Sequence, residues 1–188
     1  MEEEQQKQKS LILLLAGATI IVMPLIAMLI DWYSDSVDMS ARLLKGAPWF
    51  AQIGLGLVMG VGFGAMAQFI VERKFMQSVN LKYTEMISDL RLTTSEIVFV
   101  SLCAGIGEEV LFRGAVQPLL GVIITAIIFV AIHGYLNPKD WKVSLYGVFM
   151  TGVIIVLGYT TEKVGIWSAI VAHTVIDIYL LRRMKFES

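Results

Sequence analysis

The chain has 188 residues, of which 56% are hydrophobic and only 16% charged, with a formal net charge of −1. Soluble domains carry about 25% charged residues, so the composition excludes an ordinary soluble globule and points to a chain solvated by lipid. The balanced charge, with no basic stripe, excludes a nucleic-acid partner, and a single cysteine, Cys103, excludes an intrachain disulfide framework.

Six apolar stretches follow in chain order. The first, 11–30, is twenty residues without a charge, enough to cross a hydrocarbon core of about 30 Å. Asp31, Trp32 and Tyr33 flank it as an interfacial group. Its leader, Met1-Glu2-Glu3-Glu4, is acidic and no small-residue cleavage site precedes Asp31, so a retained anchor is expected and not a cleaved signal peptide. The second stretch, 50–71, carries Gly56, Gly60 and Gly64, a small-xxx-small face for close helix packing. Between it and the third lies the longest polar connection, 72–94, whose alternation of apolar and charged residues suits an amphipathic helix on the membrane surface. The third stretch, 97–112, contains Glu108 and Glu109. The fourth, 119–133, ends on His133. The fifth is 143–160, and the sixth, 166–181, holds His173 and Asp177.

The expected fold is therefore all-α: a polytopic integral membrane bundle of about six transmembrane helices, one domain over 1–188. Six spans put eleven Lys and Arg residues on one side and three (Arg42, Lys45 and Lys163) on the other, with Arg113 near a span end. The positive-inside rule then places both termini in the cytoplasm of a multi-pass cell-membrane protein.

Charges at membrane depth cost about 2.5–3.5 kcal/mol each at a helix centre and are functional candidates by default. Here they are Glu108, Glu109, Arg113, His133, His173 and Asp177, which include both histidines of the chain. Glu109 and Arg113 are four apart and share a helix face, so they can pair. Glu108 is rotated by about 100° from Glu109 and is free for other work. Phe129 and His133 are also four apart, as are His173 and Asp177. Three helices each bring a polar stripe into an apolar bundle.

A carboxylate in a low-dielectric site can act as a general base on water, and a histidine on a facing helix can share its proton. A second histidine with a polar partner could hold an oxyanion. That is equipment for hydrolysing an amide by direct attack of water. Cys103 lies off the Glu108 face, and Ser101 and Ser168 have no evident triad partners.

These residues carry a family resemblance. Glu108-Glu109-Val110-Leu111-Phe112-Arg113 resembles the E-E-x-x-x-R motif of the CAAX-protease and bacteriocin-processing family (CPBP, also called Abi). Phe129 to His133 resembles its F-x-x-x-H motif, and His173 to Asp177 its H-x-x-x-N/D motif, in the family's order. The resemblance covers 95–181, the expected catalytic core, and implies an intramembrane glutamate-type endopeptidase akin to type II CAAX prenyl endopeptidases. It implies that Glu108 is the general base, that His133 helps activate water, and that His173 and Asp177 form the oxyanion site. Glu109, Arg113 and Phe129 would be structural or orienting. The eukaryotic endopeptidases have Asn where this chain has Asp177, which weakens the CAAX substrate assignment more than the protease assignment. Asp177 is either a neutral donor to the oxyanion, the reading expected for a membrane-embedded acid beside two others, or an ionised partner that orients His173. The mechanism needs no cofactor and no metal.

Three other readings stay open at this level. Two Glu, two His and an Asp could bind Zn²⁺ as a metal-dependent hydrolase, although H-E-x-x-H is absent. Glu/His chains serve as proton relays in transporters, although no inverted repeat is evident. A non-catalytic immunity or scaffold protein is the remaining alternative. The expected partners are membrane lipid and a peptide or protein substrate, lipidated or not.

One geometric difficulty is visible in the sequence. At 1.5 Å per residue, Glu108 lies near mid-membrane or beyond, whereas His133 falls near the cytoplasmic end of the next span. A turn around Gln117 and Pro118 that stops short of the outer surface would close the gap.

Overall fold

A computed structural model describes residues 2–186, the side chains of Lys82 and Phe186 excepted. Among the described residues the chain is helical and contains no strand. The helices are α1 (Glu2–Tyr33), α2 (Met39–Leu44), α3 (Trp49–Val71), α4 (Gln77–Asp89), α5 (Thr94–Glu109), α6 (Gln117–Ile132), α7 (Trp141–Lys163) and α8 (Ile166–Phe186). A π-helical segment, Val110–Val116, joins α5 to α6. Among the described residues, four helical stretches are long and apolar enough to cross a membrane: Glu2–Tyr33, Trp49–Val71, Thr94–Ile132 and Trp141–Lys163. Large apolar side chains such as Leu14, Ile21, Val58 and Val148 remain exposed on them, as lipid-facing surfaces require.

Helix ends are set by identifiable caps. Asp38 accepts from the Ala41 amide to start α2 (2.8 Å), and Asp140 accepts from the Lys142 and Val143 amides to start α7. At α5, Thr93 Oγ1 accepts from the Glu96 amide, while Glu96 Oε2 accepts from the Thr93 amide. Both bonds of a capping box are present. Lys9 of α1 pairs with Glu96 at 2.8 Å, so α1 and α5 begin at the same end of the bundle. The core around Leu90, Leu92 and Ile97 takes in Ile12 of α1 and Leu181 of α8, which puts both termini of the described chain at that end.

Close packing follows the small residues. Gly56 lies against Ser168 and Val171, Gly60 against Ala172 and Val175, and Gly64 against Tyr179, so α3 and α8 run parallel along this face. On α5, Gly105 abuts Thr174 of α8, and Gly107 abuts the Thr19 carbonyl of α1. The next residues, Glu108 and Glu109, are thereby held at the centre of the bundle.

The third and fourth apolar stretches form one folded-back unit. Helix continues past Gln117 and Pro118, and the break falls at Gly121, whose φ of 76° and ψ of 166° are non-helical. Pro118 follows directly on the widened π-helical turn, where the regular hydrogen-bond ladder is already interrupted, and the helix runs on through it. A positive φ instead suits glycine. Phe112 and Phe129 then meet with ring centroids 5.0 Å apart. The returning arm spans only eleven residues after Gly121, about 16 Å of helix, and stops at His133 opposite Glu108. The turn therefore lies three to four residues later than the expected Gln117–Pro118, and it closes the gap between Glu108 and His133.

The polar connection contains a 3₁₀ turn, Lys74–Met76, and then α4. Val79 and Thr84 are buried while Gln77, Ser78, Glu85 and Asp89 are exposed, so α4 is amphipathic, and it packs on α8 at the end where the termini lie.

Candidate active site

Glu109 and Arg113 are both fully buried, and Arg113 Nε lies 3.0 Å from Glu109 Oε2. The other Glu109 oxygen faces His173 Nδ1 at 2.9 Å. Glu109 is thus a bridge between its own helical segment and α8. Helix geometry predicts the Arg113 contact but not the His173 contact, which depends on the tertiary approach of α5 and α8 at Gly105. Arg113 also places its Cζ 5.3 Å from the centre of the Phe129 ring, a cation–π arrangement.

Glu108 faces the opposite way. Its Oε2 lies 3.3 Å from His133 Nε2. His133 Nδ1 lies 2.6 Å from the Phe129 carbonyl, which only accepts. Nδ1 therefore carries a proton, and Nε2 is the atom turned to Glu108. Phe129 stacks on His133 (4.5 Å, 27°) and meets His173 edge-on (5.8 Å, 75°), so one aromatic ring spaces both histidines. On the far side of His133 the Tyr135 ring is parallel at 6.3 Å. His173 Nε2 lies 3.6 Å from Asp177 Oδ2.

Every site residue singled out in the sequence thus converges. Glu108 with His133, and His173 with Asp177, line one cavity of ≈ 340 Å³, while Glu109 and Arg113 are packed behind it. The cavity walls are otherwise mostly apolar and run from these groups past Tyr146 and Met150 to Val79 and Tyr83 of α4. It reaches from mid-bundle toward the end that holds the termini. Among the described residues no three His, Cys, Asp or Glu side chains converge as a ligand set for a metal ion. Cys103 is buried and does not line the cavity, and the Ser168 hydroxyl donates to the Gly165 carbonyl.

Sequence reasoning missed two contributors to the site and one buried tie outside it. Tyr135 follows His133 by two residues in a loop, with no helical period to mark it. Its backbone packs on Gly147 of α7, and Ser144 donates to the Asn137 carbonyl, so the segment that carries it is fixed by α7. The π-helical segment after Glu109 has no compositional mark; such widened turns concentrate at functional sites. Gln117 is buried and bridges the Gly158 carbonyl and Glu162.

Fold and site together define a helical membrane protein with a water-accessible Glu/His cluster in its interior. Residues 91–179, just under half of the chain, match the family model described as type II CAAX prenyl endopeptidase Rce1-like. The chain is also similar to the uncharacterized protein YpbD of Bacillus subtilis (strain 168), with 32% identity over 93 residues. That match covers 48% of this chain, which spans about half (47%) of the length of this curated relative. No solved structure matches the chain.

Proposed function

We propose that the protein is a multi-pass endopeptidase of the cell membrane that hydrolyses a peptide bond with water activated by Glu108. The observation that carries this reading is the approach of Glu108 to His133, 3.3 Å apart at the inner end of an apolar cavity. The family model that residues 91–179 match is one of CAAX prenyl endopeptidases, and an apolar channel leading to a buried base suits a C-terminal peptide with an apolar or lipidated side chain. With the cation-rich end in the cytoplasm, the substrate enters from that side, beneath α4.

In this mechanism a water held beside Glu108 gives up a proton to the carboxylate as its oxygen bonds to the scissile carbonyl carbon. Negative charge moves to the carbonyl oxygen on the side of His173 and Asp177. Collapse of the tetrahedral intermediate breaks the C–N bond, and the proton on Glu108 passes to the leaving amine. One water is consumed, and an acid and an amine are released.

The histidines set the charge balance. His173 donates from Nδ1 to Glu109, so it can donate from Nε2 as well only when it is the imidazolium. Glu109 then faces both Arg113 and the His173 imidazolium. An imidazolium whose Nε2 lies 3.6 Å from Asp177 Oδ2 favours an ionised Asp177 over the neutral Asp177 expected from its membrane depth. Glu109 and Arg113 act as positioning residues that hold the His173 ring.

The test is cleavage by the purified protein in lipid nanodiscs, with prenylated and unprenylated C-terminal peptides as substrates and products read by mass spectrometry. Cleavage at one bond, unaffected by Cys103→Ser or by exhaustive chelation, is the expected result. Loss of cleavage in chelator, restored by Zn²⁺, would replace this mechanism with a metal-dependent one. No cleavage of any peptide would favour a non-catalytic membrane partner.

A further inference from the structure

The end of the bundle opposite the termini carries three cations, Arg42, Lys45 and Lys163, and all three line one shallow pocket of ≈ 270 Å³. The pocket lies where the connection after α2 meets the α7–α8 turn, held by a bond from the Ala47 amide to the Val164 carbonyl. Glu162 is the only acid in its wall, and that carboxylate already accepts from Gln117 at 3.0 Å. Arg42 lies 3.9 Å from Glu162 and is half-buried, whereas Lys45 and Lys163 are exposed. Three cations therefore converge on a space whose own wall offers one carboxylate, with Asp38 near Lys45 and the Arg113 carbonyl accepting from Arg42 at 3.5 Å.

Depth is given by a separate set of residues. Trp32 and Trp49 are exposed at the same end of the bundle, and Trp167 Nε1 donates to the Leu43 carbonyl, pinning α2 beside the pocket. Tryptophans of this kind sit at the level of lipid headgroups. Leu44, next to Lys45, is 86% exposed, which suits a side chain dipping into acyl chains. The pocket consequently lies at the height of lipid phosphates, and its cations present donors for phosphate oxygens.

We propose that this pocket is a binding site for a phosphate group, supplied by the headgroup of an anionic phospholipid in the leaflet opposite the termini. The head group would sit between Arg42 and the two lysines with its acyl chains along the exposed faces of α1 and α3. The site is separate from the cavity that holds Glu108, and it does not depend on the proposed peptidase activity.

The experiment compares thermal unfolding and native mass spectra of delipidated wild type, the triple variant Arg42→Gln/Lys45→Gln/Lys163→Gln and the single variant Lys163→Gln. Each is tested with phosphatidylglycerol, with phosphatidylcholine and with inorganic phosphate. Wild type should retain phosphatidylglycerol and gain thermal stability from it, with little response to phosphatidylcholine. Each cation removed should weaken retention about fivefold, as expected for one Lys or Arg near a charged membrane surface. Lys163→Gln, which removes an exposed side chain, keeps the test informative if the triple variant folds poorly. Undiminished retention in Lys163→Gln and the triple variant would overturn the site. A response to inorganic phosphate without one to phosphatidylglycerol would overturn the lipid as its source.

Discussion

Replacing Arg113 with methionine keeps most of the side-chain volume and removes the charge that faces Glu109 at 3.0 Å. Both residues are completely buried, so the substitution strands a carboxylate in a dry interior. Breaking a buried ion pair by removing one partner costs about 3–5 kcal/mol. Loss of the contact over the Phe129 ring adds about 1 kcal/mol. The remaining bond from His173 Nδ1 to Glu109 offsets part of this, which puts the expected loss near 3 kcal/mol. The double variant Glu109→Gln/Arg113→Met removes both charges and should recover most of that loss. Reversible unfolding in mixed micelles, run as a double-mutant cycle, measures both quantities. A double variant as unstable as Arg113→Met would refute the stranded-charge argument and leave only lost packing.

Gly60→Ala places a Cβ 2.5 Å from Val175 Cβ and 2.9 Å from the Ala172 carbonyl, so it should destabilise the α3–α8 contact by about 1–3 kcal/mol in the same unfolding assay. Gly62→Ala, with nothing within 4 Å, should be neutral or slightly stabilising; equal losses at the two positions would argue against this packing. Asp38, at the start of α2, is held below the ordinary aspartate value chiefly by the Ala41 amide and then by the Ser40 hydroxyl. A depressed folded value means that its stabilisation is present above the unfolded value of about 3.9 and is lost as pH falls through the folded one. Amide protection of α2 should accordingly fade in acid, and Asp38→Ala should abolish that pH dependence. Asp177→Asn removes a charge from beside His173, 3.6 Å away, and should lower turnover by roughly 10²–10³ if Asp177 is ionised. Activity retained and extended to higher pH would instead identify a neutral donor, and a pH–rate profile identical to wild type would make Asp177 a packing residue.

The site was more legible in the sequence than the path of the chain that builds it. Glu108, Glu109, Arg113, His133, His173 and Asp177 stand out because a charge in an apolar stretch is costly and therefore rare. Spacing by four residues is enough to place Glu109 beside Arg113 and His173 near Asp177. The Glu109–His173 contact was not legible, since it joins residues 64 apart through the Gly105–Thr174 approach. The depth of His133 was hidden for a related reason. Hydropathy registers 119–133 as a span whether or not it crosses, and the returning arm is short only because the turn falls at Gly121. Proline was the more conspicuous breaker, yet Pro118 sits where a helix tolerates it. The cation pocket at the opposite end combines α2 with the α7–α8 turn, more than a hundred residues apart in sequence, and no local pattern connects them.

Glu108→Gln is the most direct test of the proposed chemistry, because it keeps the shape of the side chain and removes the base beside His133. Turnover of a cleaved peptide should be measured alongside unfolding stability and peptide binding to the same variant. The mechanism predicts a fall in turnover of at least about 10²-fold, the usual contribution of a positioned base, with folding and peptide binding retained. Turnover close to wild type in a folded Glu108→Gln protein would contradict the assignment of Glu108 as the group that activates water.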